Sequence, residues 1–415
     1  MKVRIHRGAK EIGGNCIEVE AQRKRIVLDV GRPLDAATDQ LVPLPDVAGL
    51  AAGDDPDLLG LLISHGHQDH WGLVDQVSPD VPIYIGKGAA DILREAARIY
   101  SKAGIDITAA GYLLHREPLE IGPFTITPFL NDHNAFDTYS LLIEADGRRL
   151  FYSADLQGHG PKRAIFEEML HKPPADVDVM LMEGTNVTAD PATAPGLSED
   201  DLRADLAHTV KETKGMVLAT YSSQSIDRMC SMYSAARRTG RILVVDLLTA
   251  RMAIATGRET VPTPGWEQLL VYVPFFLRRQ IKRDESFDLL PDKTHRIFPE
   301  DLAERRGELL MTFRMSIARD LERADCLEGA CAVWSQWPGY LERPDSKPYK
   351  DFLAKHAIPL KVHHASGHAY LHDLKKLADA ISPERLVPIH SFAASRFADH
   401  FANVKLYDDG EWWDV

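Results

Sequence analysis

The chain has 415 residues, 45% of them hydrophobic and 26% charged. That is the composition of a globular protein with room for two or three cores, and it excludes a disordered or fibrous chain. The net charge of −13 works against sequence-blind attraction to nucleic acid, which needs Lys and Arg to displace counterions, but it leaves room for a local basic groove.

The first third reads as short strands. Lys2 to His6, Cys16 to Glu20 and Arg25 to Asp29 are rich in β-branched residues, with Gly13, Gly14 and Gly31 as punctuation. The apolar run Leu61-Leu62-Ile63 suits a strand buried on both faces, and it stops at a His-rich loop. A strand is expected at Val81 to Ile85, then a helix with Ala89, Ile92, Leu93 and Ala96 on one face. Strands follow at Phe124 to Phe129, Ser140 to Glu144, Arg149 to Ser153 and Val177 to Glu183. Strands mixed with helices in this way predict stacked α/β layers. Pro191, Pro195 and Gly196 mark a linker. Ser198 then opens a helix with Asp201 placed for a capping box. Met216 to Thr220, Ser225 to Thr239 and Ile242 to Asp246 read as strand, helix, strand, a unit that implies its own parallel sheet. The expected division is therefore 1–194, an inserted domain at 195–345, and a return to the first domain at 346–415. In the returning part Pro359 to His363 reads as a strand, Leu371 to Ile381 as a helix, and Arg385 to Ile389 as a strand ending at His390.

Four cysteines without zinc-ribbon spacing read as reduced and structural. No leader-like or membrane-spanning run is apparent, so the expectation is a cytoplasmic protein with no membrane partner.

The chemistry concentrates in Ser64-His65-Gly66-His67-Gln68-Asp69-His70. Imidazoles and a carboxylate crowded into one loop after a buried strand form a donor set for zinc, manganese or iron. This HxHxDH run resembles the signature of the metallo-beta-lactamase superfamily. Further matches follow in order: Asp29 closing an early strand, His133 with Asp137 and Thr138, and Asp155 after Tyr152-Ser153-Ala154. Three more segments resemble the beta-CASP branch, which includes ribonuclease J: Met182-Glu183, Ser366-Gly367-His368-Ala369 and Val387-Pro388-Ile389-His390. The resemblance implies a metallo-beta-lactamase αββα sandwich with an inserted beta-CASP-like α/β domain. It implies two divalent metal ions, zinc first and manganese second. His65, His67 and His133 would hold one and Asp69, His70 and His390 the other, with Asp155 bridging them. The pair would activate a hydroxide for attack on a phosphodiester bond. Asp69, His368 and Glu183 would be the catalytic residues, with His368 donating a proton to the leaving oxygen and Glu183 orienting an imidazole. His364 and Ser366 would touch substrate. The implied substrate is RNA first and single-stranded DNA second, and the resemblance also allows a homodimer.

The resemblance thins in the insert. Where ribonuclease J has a glycine-rich phosphate turn, this chain reads Trp334-Ser335-Gln336-Trp337-Pro338. A second reading therefore stands beside the nuclease: hydrolysis of a small ester, thioester or cyclic phosphodiester at the same metal site. The basic cluster Arg278, Arg279, Lys282 and Arg283 reads as a solvated helix face or as a nucleic-acid rim.

Overall fold

The computed structural model describes residues 1–37, 40–187 and 196–415. Pro191 and Pro195, expected in a linker, lie outside the described residues, as does the expected boundary at 194 and 195. The chain divides into two compact units: Met1–Gly196 with Gly367–Val415, and Leu197–Ser366.

The first unit is built on two sheets. Among the described residues one has seven strands and the other six. In the first, Lys2–Arg7, Cys16–Ala21 and Lys24–Leu28 run antiparallel, and Lys24–Leu28, Leu58–Ile63 and Ile83–Gly86 run parallel. In the second, Arg148–Tyr152, Val179–Glu183 and Arg385–Ile389 are parallel, and Phe124–Leu130 and Tyr139–Ala145 continue the sheet antiparallel. Strand residues alternate between two cores because their side chains alternate between faces. Ile26, Leu28, Leu62, Leu150 and Leu181 enter the core between the sheets. Val27, Leu61 and Ile63 face the other way, against Ala89, Ala90 and Leu93 of the helix Lys87–Ile99. Phe151, Met180 and Met182 pack outward against Phe166 and Met169 of the helix Arg163–His171 and Leu374 and Leu377 of the helix Leu371–Ile381. The order is helix, sheet, sheet, helix. Two buried faces per strand explain the continuous apolar runs in the sequence.

The second unit is a parallel sheet of seven strands among the described residues. Its order is Arg296–Ile297, Leu269–Tyr272, Ile242–Asp246, Leu309–Thr312, Val217–Thr220, Cys331–Trp334 and Leu360–Val362. Its first helix, Glu199–Glu212, starts at a capping box in which Ser198 and Asp201 satisfy each other's backbone N–H groups. One expected boundary is displaced. The return to the first unit, expected at 346, comes after Ser366. The cause is packing: Phe352 and Leu353 of the helix Lys347–Lys355 enter the second unit's core, and Leu360–Val362 pairs with Cys331–Trp334. Among the described residues no helix is long and apolar enough to cross a membrane.

Candidate metal centre

The site of the first unit forms where parallel strands end. Asp29 follows Lys24–Leu28, His65 follows Leu58–Ile63, Asp155 follows Arg148–Tyr152, and His390 follows Arg385–Ile389. Three of these turns use left-handed backbone at residues other than glycine: Asp29 at φ 58°, Ala154 at φ 47° and His390 at φ 50°. Each costs about 1–3 kcal/mol and swings the chain sharply out of its strand. The loop carrying His67, Asp69 and His70 closes on Gly31, where a Cβ would lie 1.6 Å from the Asp69 carbonyl oxygen. No other residue fits there without moving the loop.

Two donor groups result. His65, His67, His133 and Asp155 form one; Asp69, His70, Asp155 and His390 form the other. Within each, the candidate ligand atoms lie within 4.8 Å of one another. Asp155 belongs to both. Its Oδ2 is 3.6 Å from His65 Nε2, 3.8 Å from His133 Nε2 and 3.2 Å from His70 Nε2. Its Oδ1 is 3.0 Å from His390 Nδ1, and Asp69 Oδ2 is 3.6 Å from His390 Nε2. Among the described residues, Nε2 of His65, His70 and His390 and both Asp155 oxygens are buried without a hydrogen-bond partner. Buried polar atoms are rarely left so, and here they share two foci. Nitrogen and carboxylate donors with unspent lone pairs fit a pair of divalent cations.

The protonation pattern has the same origin. Burial and the neighbouring imidazoles hold His65 well below its ordinary pKa, and burial brings His67 down to about 4. Burial likewise lowers His133. Neutral imidazoles are what a cation requires. Burial also opposes charge on His70, but the carboxylates of Asp155, Asp29 and Asp69 outweigh it and hold the ring well above its usual value. Burial would raise Asp155, yet the imidazoles of His390, His70 and His368 hold it well below the carboxylate range.

A surrounding shell fixes the donors. Asp29 Oδ2 accepts from His70 Nδ1 at 2.7 Å, from Ser64 Oγ at 2.8 Å and from the Tyr152 hydroxyl at 2.5 Å. That leaves His70 Nε2 to face the focus. His133 Nδ1 donates to the Gly367 carbonyl at 2.7 Å, which orients Nε2 in the same way. Asp137 serves elsewhere: its Oδ2 accepts from Gly88 N at 2.7 Å and caps the helix Lys87–Ile99.

His368 stands beside the donors. Its Nδ1 is 3.8 Å from Asp155 Oδ2, 3.4 Å from Glu183 Oε1 and 3.1 Å from Thr185 Oγ1. Asn186 donates to the His368 carbonyl at 2.8 Å. Burial disfavours a charged His368 ring, but Glu183 and Asp155 outweigh it and push the imidazole up to about 9. Asp29, Ser64 and Tyr152, which the sequence motifs include without a role, and Thr185 are the residues that hold the predicted ones. Their signal in sequence is slight, because each acts across the fold.

His364 and Ser366 belong to the second unit and close it. In that unit Ser335 is buried and donates to the His363 carbonyl at 2.6 Å. Arg228, on the helix Ile226–Arg238, is buried against Glu199 at 2.6 Å and against both oxygens of Ser335.

Residues 34–218 match the beta-lactamase superfamily domain. The matched segment, less than half of the chain, contains His65, His67, Asp69, His70, His133 and Asp155 of the two donor groups. The chain resembles ribonuclease J over most of its length. It is 24% identical to ribonuclease J of Sinorhizobium meliloti over 85% of this chain and 60% of that one. It is also 24% identical to ribonuclease J of Synechocystis over 92% of this chain and 59% of that one. An RNase J-like protein of Methanocaldococcus jannaschii is 23% identical over 60% of this chain and 58% of its own. The chain thus spans about three fifths of these relatives' length. A crystal structure of a protein of unknown function from Enterococcus faecalis shares the fold, with a TM-score of 0.77, 22% identity and 99% of both chains covered.

Proposed function

We propose that this chain is a metal-dependent hydrolase of the metallo-beta-lactamase superfamily, a beta-CASP nuclease that cleaves phosphodiester bonds in RNA, with single-stranded DNA as a second substrate. The observation that carries the reading is Asp155, shared by two donor groups and 3.8 Å from His368. In the proposal His65, His67 and His133 hold one ion, Asp69, His70 and His390 the other, and Asp155 both. Zinc is the expected ion and manganese the alternative. Bound there, divalent cations supply Lewis acidity that lowers the pKa of water and draws charge from a phosphoryl oxygen. The protein's residues do the rest. Asp69 sits at the rim of the centre and orients the attacking water. Glu183 and Thr185 fix Nδ1 of His368, so the ring's other nitrogen is assigned to the leaving oxygen, where it delivers a proton. His364 and Ser366 are assigned to substrate contact. The likeness to ribonuclease J across 85–92% of the chain supports RNA as the substrate.

A second reading, hydrolysis of a small ester, thioester or cyclic phosphodiester, is favoured by one observation. Arg228 and Ser335 spend their polar atoms on each other and on Glu199 and His363, so they are not set out for a phosphate. The deciding experiment loads the purified protein with zinc or manganese and offers labelled RNA, single-stranded DNA and a small cyclic phosphodiester side by side. Faster turnover of RNA supports the nuclease; turnover of the small substrate alone replaces it with the second reading.

A further inference from the structure

The chain is acidic overall, with a net charge of −13, yet one face of the second unit is not. The helix Phe275–Arg283 follows the strand Leu269–Tyr272, and Phe275 in its first turn is 45% exposed. Three guanidinium groups gather over that ring. The central carbons of Arg278 and Arg279 lie 5.8 and 6.0 Å from its centre. Arg323, from the helix Ala318–Ala324, lies 6.0 Å away. Asp320 does not neutralise them by pairing. Its Oδ2 accepts from the Phe275 backbone N–H at 2.8 Å and the Tyr272 hydroxyl at 2.9 Å, so it serves as a cap. Arg283 is paired with Asp284. Arg278, Arg279, Lys282 and Arg323 form no ion pair among the described residues.

The cation–π contacts to Phe275 each return only a small stabilisation at an exposed site, and they are opposed by like charge. Arg278 and Lys282 stand four apart on one helix, and Arg319 and Arg323 on the other, where like charges repel. A large aromatic ring is also left in water. Both costs fall away if the face takes up an anion with a flat apolar part. A single-stranded nucleic acid supplies both, since its bases are free to stack on an aromatic side chain and its phosphates to meet arginines.

We propose that Phe275, Arg278, Arg279 and Arg323 form an RNA-binding surface that stacks one unpaired base on the phenyl ring and holds the flanking phosphates. The proposal rests on the RNA reading above but concerns binding, not cleavage. An acidic polypeptide would use the charge and leave the ring idle.

The test measures binding of a fluorescent single-stranded RNA by anisotropy over a range of salt concentrations. It compares the full-length protein with Phe275→Ala and the double variant Arg279→Glu/Arg323→Glu. Hydrolysis of bis-p-nitrophenyl phosphate, which has no base to stack and only one phosphate, reports on the metal site in each. Phe275→Ala should weaken binding about 5- to 150-fold, the range for losing one stacked base. The double variant should weaken it at least about tenfold and reduce the salt slope by about 1.4, two single-strand phosphate contacts. Small-substrate hydrolysis and melting temperature should stay at wild-type values. Wild-type affinity in both variants overturns the surface, and RNA cleavage would then leave the nuclease reading standing. Weakened binding by a protein that never cleaves RNA keeps the surface and removes the nuclease reading. Tighter binding of an acidic peptide than of RNA, lost in the double variant but not in Phe275→Ala, also overturns the proposal.

Discussion

Asp155 and His368 are less than 4 Å apart and should fail in different ways. Asp155→Asn removes the carboxylate common to both donor groups, so metal content and activity should fall together, read by elemental analysis and by turnover. His368→Ala removes no member of either group. It should keep its metal and lose about 10²-fold in phosphodiester cleavage, the scale of a lost proton donor. Asp29 makes a subtler case. It orients His70 alone among the donors, and loss of such a partner weakens a metal site by about 10–100-fold. Asp29→Asn should therefore weaken one of two binding steps in a metal titration and spare the other; equal weakening of both would refute the assignment. The donors were legible in sequence because histidines and aspartates bunch just after strands. The work of Asp29 was not, since its partner His70 is remote in sequence and only sheet pairing brings them together.

At the scale of elements, three strands are joined by a buried ionic cluster. Glu18 of Cys16–Ala21 accepts from His6 of Lys2–Arg7 at 2.7 Å and from Arg25 of Lys24–Leu28 at 2.5 Å. Burial alone would raise the Glu18 carboxyl, but His6 and Arg25 outweigh it and the group ends below its ordinary 4.5. A carboxyl lowered by folding adds stability that is complete above that pH and fades as the pH falls through the folded-state value. Glu18→Gln should destabilise the protein near neutrality, where Arg25 loses its buried carboxylate partner. Denaturant melts of variant and wild type should converge as the pH drops below 4.5. The strands themselves were readable from apolar runs and alternation. Their partners were less so. Pro359 to His363 reads correctly as extended chain, but nothing in its residues says that Leu360–Val362 joins Cys331–Trp334. An exposed three-residue strand carries too little pattern to name its sheet, so the end of the insert was placed too early.

At the scale of the whole molecule, every member of both donor groups belongs to the unit formed by Met1–Gly196 and Gly367–Val415. Chelation should act on that unit first. Bound ligand stabilises by about 2.7 kcal/mol at a hundredfold excess over the dissociation constant. Removing metal should thus raise amide exchange around His65–Trp71, Asp155 and His390 while the sheet of Leu197–Ser366 keeps its protection. Equal loss of protection in both units would show that the ions stabilise more than their own unit. The layered α/β architecture was legible from composition and strand order alone.

The donors also enclose the insert along the chain. His65 lies before it and His390 after it, roughly 300 residues apart, and closing so long a loop carries an entropic cost that grows only slowly with length. An ion pair tied to both ends acts as a removable staple. A protease that cuts once within Leu197–Ser366 would leave two fragments still clasped by the same ions. They should migrate as one species on a sizing column and come apart more readily once a chelator is added.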